Sequence, residues 1–207
     1  MHIPKTMKMG SHELIHQFIE TFSFGAIISE QLEANHLPFL LKRSEGELGT
    51  LYGHFSRTNL HLATQDGCTV MVILQGPHSY ISPSWYASSP AVPTWNYGAV
   101  HIHGEMELLP ADDTIKILDE TVMAYEPELL LTGETLTDEH RDRLAKGVIG
   151  FKINITQMQG KQKLGQHRKP ADQLGVVNGL ANQSNTDAIS LLNYMKEVGI
   201  GLGEKNS

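Results

Sequence analysis

The sequence predicts a mainly β, α+β chain: a β-barrel with peripheral helices. Three observations lead there. About six segments carry strand patterns, and helical patterns fall at the ends and in a few connections. The strands also cluster without regular βα alternation, which excludes a doubly wound parallel sheet.

The elements follow in order. Residues 11–22, SHELIHQFIETF, place Leu14, Ile15, Phe18, Ile19 and Phe22 at helical spacing, with Ser11 as N-cap. FGAIIS (24–29), HLPFLLK (36–42) and GTLYGHF (49–55) read as three strands. SRTNLHLA after the third suits a short helix. TVMVILQG (69–76) is an apolar run that Gly76-Pro77 is expected to end. Residues 77–95 are rich in Pro, Ser and aromatics and read as irregular. In the strand 94–109, Trp95, Tyr97, Ala99, His101 and His103 fall on one face. Val100, Ile102, Met106 and Leu108 fall on the other, with Gly98 or Gly104 as a possible bulge. Residues 111–125 and 137–146 read as helices, and 148–158 alternates as a strand. Helices near 170–181 and 185–198 finish the pattern, while 126–136 receives no role.

The 207 residues suit a single domain, 1–207, with the C-terminal helices at about 170–198. No apolar run approaches the roughly 20 residues that span a bilayer. The opening Met-His-Ile-Pro-Lys does not resemble a signal-peptide core. A lone cysteine, Cys68, excludes an internal disulfide framework and fits a cytoplasmic location. The formal net charge of −7 opposes direct DNA binding, which depends on phosphate neutralisation. The cations are uneven: residues 141–169 hold eight of the sixteen Lys and Arg. That run is either a solvated face or a local site for a small phosphate.

Several constellations could carry chemistry. His12-Glu13-Leu14-Ile15-His16 fits H-E-x-x-H, whose histidines share a helix face and could hold zinc with Glu13 as base. The same residues serve equally as the polar side of an amphipathic helix, and no third ligand is placed persuasively. His101 and His103 point the same way from a strand, as metal ligands or as hydrogen-bonded barrel residues. Gly199-Ile200-Gly201-Leu202-Gly203 follows a helix rather than a strand, so it reads as a frayed tail, not a dinucleotide loop. Ser56, Arg57, Thr58 and Asn59 place hydroxyls, an amide and a guanidinium just past a strand. That suits a phosphate, or an ordinary helix start. Residues 80–97 hold Tyr80, Trp85, Tyr86, Trp95 and Tyr97, a density suited to a flat ligand, a subunit interface or core packing.

LPFLL (37–41), GTLYGHFSRTN (49–59), LQGPHSYISPSWY (74–86), VPTWNYGAVHIHG (92–104) and VIGFKINITQMQGKQKLGQHR (148–168), in this order, resemble the PaiB-like FMN-binding negative transcriptional regulators. The resemblance implies an FMN-binding split barrel, usually a homodimer with flavin at the interface. It places Tyr52 and His54 beside the flavin, and Ser56, Arg57 and Asn59 at the phosphate. It brings Gln75 and Trp95 to the ring or ribityl chain, and marks Lys163, Gln166 and Arg168 in the late basic motif. His167 stands where the family usually has Asn, and His103 where it often has an aromatic residue.

The implied role is a flavin-binding regulator acting indirectly or as a redox sensor. A flavin-dependent oxidoreductase on a small substrate is the alternative. A zinc hydrolase through the HELIH motif is a further one, and a haem protein using His54, His78 or His101 another.

Overall fold

A computed structural model describes residues 1–133 and 135–203. They fall into two compact units. One takes His16–Leu74 and His101–Met158; the other takes Met1–Ile15, Gln75–Val100 and the residues from Gln159 onward.

The first unit carries a seven-stranded sheet. Its strands are β1 (Phe24–Ile28), β2 (Ala34–Pro38), β3 (Leu40–Lys42), β4 (Thr50–Ser56), and parts of β5 (Thr69–Ile81), β6 (Thr94–Leu108) and β7 (Val148–Lys163). The order across the sheet is β2-β1-β5-β6-β7-β4-β3. β2 and β3 therefore lie at opposite edges, yet Phe39 alone separates them in sequence. A flat sheet of seven strands would set its edges about 29 Å apart. One residue bridges no more than about 7 Å. The sheet must curl until its edges meet, and that makes a split barrel. The interior is apolar: Ile27, Leu51, Val72, Leu74, Ile102, Phe151 and Ile153 are fully buried. Phe151 packs with Phe39 and Phe55, ring centroids 6.3 and 5.9 Å away.

Three expectations change here. The strand read at 36–42 is two strands, because Pro38 offers no amide to extend a ladder and the chain turns at Phe39. β5 runs through Gly76-Pro77 to Ile81. Pairing with β1 stops at Leu74, so beyond it Pro77 interrupts no β1 ladder. β7 likewise runs five residues past Met158. Both faces of β6 follow the predicted alternation, with Asn96, Val100, Ile102 and Met106 buried. Gly104 lies within the continuous strand; a Cβ there would sit 2.5 Å from the Asn154 carbonyl oxygen.

Helices α2 (Ala111–Tyr125), α3 (Glu128–Thr132) and α4 (Asp138–Ala145) fill the β6–β7 connection, so 126–136 is helical in part; Glu134 lies outside the described residues. The 56–64 segment forms only a 3-10 turn at Leu62–Thr64.

In the second unit, α5 (Pro170–Ala181) and α6 (Thr186–Val198) match their predicted positions. Trp85 seats on α5, where Gly175 and Gly179 leave room for it. Ser88 donates from both its amide and its hydroxyl to the Asp172 carboxylate, at 2.8 and 2.7 Å. The first helix, α1 (His12–Thr21), takes Ser11 as its cap: the Leu14 amide donates to Ser11 Oγ at 3.3 Å. Among the described residues no helix is long and apolar enough to cross a membrane.

Candidate functional site

β4 sets the first group of residues. Alternation along it sends Leu51 and Phe55 into the barrel and gives Tyr52, His54 and Ser56 the other face. Tyr52 donates its hydroxyl to Glu45 Oε2 at 2.5 Å, and Lys42 Nζ lies 4.6 Å from its ring centroid. Burial and the Glu45 carboxylate push the phenol pKa up, so Tyr52 stays protonated and remains a donor. His54 lines a cavity of about 310 Å³ with Leu118 and Val122 of α2 and Leu144 of α4. Burial lowers its pKa, which keeps the imidazole neutral.

At the strand's end Ser56 Oγ and Thr58 Oγ1 lie 2.8 Å apart, and the Thr58 amide donates to Ser56 Oγ. Arg57 is pinned along the start of β7. Its amide donates to the Gly147 carbonyl at 2.9 Å, and Nε and Nη2 donate to the carbonyls of Lys146 and Val148, both at 3.0 Å. Nη1 has no partner among the described residues. Arg57 lines a cavity of about 670 Å³ with Lys146, Thr114 and the apolar side chains of Leu108, Leu109, Ile115 and Ile149. Asn59 is engaged elsewhere: its Nδ2 donates to Asn35 Oδ1 at 2.8 Å, and its Oδ1 accepts from the Leu62 amide at 3.1 Å. It positions the loop.

The second unit holds the other group. Lys163 Nζ donates to Thr94 Oγ1 and, at 2.8 Å, to the Trp95 carbonyl. Burial lowers the Lys163 pKa. Trp95 is half exposed, with His78 and Tyr80 rings at 5.7 and 6.4 Å. Arg168 stacks over Tyr86 at 4.5 Å. Gln75 is exposed on β5. Gln166 is a staple: its Nε2 donates to the carbonyls of Thr6 and Gln162, and its Oε1 accepts from the Leu164 amide.

A family profile described as "Putative FMN-binding domain" matches residues 1–157. The chain belongs to this FMN-binding family. FMN is its cofactor. Protease synthase and sporulation protein PAI 2 of Bacillus subtilis is 35% identical over 205 residues, which is 95% of this chain and 97% of that protein. An uncharacterised protein of Emericella nidulans is 26% identical over 209 residues, covering 81% of this chain and 82% of its own. Among solved structures, the flavocytochrome Anf3 from Azotobacter vinelandii has a TM-score of 0.61 at 13% identity, over 78% of this chain and 72% of that one. The FAD and heme binding protein from Mycobacterium smegmatis has a TM-score of 0.57 at 14% identity, over 76% and 73%. These two share the fold with this FMN-binding chain.

The profile ends before Lys163, Gln166 and Arg168, whereas the Bacillus relative extends through most of the chain. Sequence reasoning missed Thr94; it offered Thr58 and Tyr86 as candidates and placed Lys146 in the basic run without pairing it to Arg57. Lys146 is close in space to Arg57 only because β4 and β7 pair Ser56 with Val148, a register that spacing along the chain does not reveal. The HELIH motif gathers no metal site: no group of three or more His, Cys, Asp or Glu suited to a metal occurs among the described residues. His16 instead bonds through Nε2 to the Leu48 carbonyl at 2.9 Å.

Proposed function

We propose that this chain holds the FMN phosphate at the end of β4 and acts as a regulatory flavoprotein without direct contact to duplex DNA. The observation that carries the first part is Arg57. It is fixed by two backbone carbonyls, keeps Nη1 uncommitted, and lines the largest cavity described above beside Lys146. The Ser56–Thr58 hydroxyl pair, bonded to each other, leaves one further donor in the same four-residue run. Among the described residues, the cavity of about 670 Å³ is lined by the Arg57 guanidinium, Lys146 and Thr114, with Asp142 as the one acidic residue among mostly apolar ones, and its size and its two cations suit a phosphorylated flavin. Bound FMN supplies the electron or hydride chemistry; the chain's part is to bind, orient and shield it.

Tyr52 is a protonated donor and His54 a neutral one beside this run, consistent with the contacts that the family resemblance assigns them. For the ring and ribityl side we assign Gln75, Trp95, Lys163 and Arg168, in a homodimer with flavin at its interface. Asn59 and Gln166 support the loops that carry these residues. The regulatory part rests on the Bacillus relative, whose name refers to protease synthesis and sporulation. The net charge of −7 favours an indirect route, through flavin state or a protein partner in the cytoplasm.

Flavin titration of Arg57→Ala tests the clamp. The variant should bind FMN more weakly by about 1–3 kcal/mol. Wild-type affinity in Arg57→Ala would remove Arg57 from the site. A visible spectrum with no retained flavin after FMN addition and desalting would remove the cofactor reading altogether.

A further inference from the structure

The glycine-rich segment read as a frayed tail is folded back and held. Gly199, Gly201 and Gly203 have left-handed φ values of 66°, 78° and 78°, while Ile200 and Leu202 between them do not have positive φ. Alternating hand curls a backbone so that successive N–H groups converge into an anion-binding nest. The Ile200 amide donates to the Met195 carbonyl at 3.1 Å, and the Gly203 amide to Gln173 Oε1 at 2.9 Å. A Cβ on Gly201 would lie 2.1 Å from the Leu164 carbonyl oxygen, so the turn is packed tightly.

Between those two bonds, the N–H groups of Gly201 and Leu202 have no acceptor among the described residues. Gly201 is buried, and a buried backbone donor without a partner is rare. Both residues line a cavity of about 270 Å³ that Thr6 and Lys8 also line. Its wall is fixed by Gln166, which holds the carbonyls of Thr6 and Gln162 at 2.9 and 2.6 Å. No acidic side chain lines it among the described residues.

We propose that this cavity binds a phosphate-bearing small molecule. The Gly201 and Leu202 amides, the Thr6 hydroxyl and the Lys8 ammonium grip the phosphate. Two backbone amides, a hydroxyl and a cation at a glycine turn are the donor set that a dianion needs. The cavity shares no lining residue with the one beside Arg57. The proposal therefore goes beyond the flavin reading and stands whether or not FMN binds at β4.

The test is an amide NMR titration of the full chain with inorganic phosphate at constant ionic strength. Phosphate should shift the Gly201 and Leu202 amide resonances saturably. Lys8→Ala, a change at an exposed residue, should weaken that binding by about tenfold, and Lys8→Arg should restore most of it. Arg57→Ala should leave it unchanged. FMN affinity should in turn be the same in Lys8→Ala as in wild type. Absence of a saturable shift overturns the site. So does loss of FMN affinity in Lys8→Ala, because the cavity would then take the flavin's own phosphate. Phosphate binding that responds to Arg57→Ala and not to Lys8→Ala also overturns it.

Discussion

Arg57 combines two tasks in one side chain. Nε and Nη2 tie the end of β4 to the carbonyls of Lys146 and Val148, and this fixes where Nη1 can act. Replacement by Lys would keep a charge but lose the planar fork, so Arg57→Lys should recover little of the FMN affinity lost in Arg57→Ala. A flavin titration of the two variants side by side checks this. His54 offers a different test. Folded His54 binds its proton less readily than the unfolded chain, because burial disfavours the charged ring. Its contribution to stability is intact above about pH 6.5 and is lost as pH falls from there through the lower folded pKa. His101 and His167, lowered chiefly by burial, act in the same sense. Thermal midpoints should therefore fall between about pH 7.5 and 5, and His54→Gln should flatten part of that fall. A slope unchanged in the variant would locate the proton uptake elsewhere. Ser56 and Arg57 were legible in the sequence because they are contiguous and chemically distinctive. The role of Gln166 was not, because its partner Thr6 lies at the other end of the chain.

Helix α5 shows how an element can resist its own propensities. Gly175 and Gly179 sit in its interior, where Ala at either position would ordinarily favour the helix by about 1 kcal/mol. Here a Cβ at Gly179 would lie 2.2 Å from the Trp85 ring, and one at Gly175 would lie 1.8 Å from the Trp85 carbonyl oxygen. Overpacking of this kind costs about 1–3 kcal/mol, enough to outweigh the helical gain. Gly179→Ala should accordingly lower stability in denaturant titration; a rise would mean that Trp85 moves aside at little cost. Helix α6 is simpler: Asn185 caps it by accepting from the Ala188 amide at 2.7 Å, and Asn185→Ala should cost about 1 kcal/mol. The sequence reading placed α2, α4, α5 and α6 to within a residue or two. It erred where the deciding fact was a neighbour. Pro77 is compatible with β5 because β1 has already ended, and the break at Phe39 reflects two edges that must meet.

For the whole molecule, cofactor binding and folding are linked. FMN at about 100 times its dissociation constant should stabilise the native state by about 2.7 kcal/mol, which for a chain of this size raises the thermal midpoint by about 5–10 °C. Thermal melts with and without FMN measure this, and an unchanged midpoint would count against binding to the native fold. The barrel class was legible from the clustering of strands, but its closure was not, because closure depends on the order of strands across the sheet. That closure has a further consequence. An open sheet of this length would present two rows of unpaired amides and carbonyls, a template on which another chain can add a strand. Phe39 draws both edges to one point and leaves little length free for such growth. One aromatic residue therefore acts as a safeguard against self-association through strand addition. Lengthening the link after Pro38 should raise aggregation, which light scattering would detect.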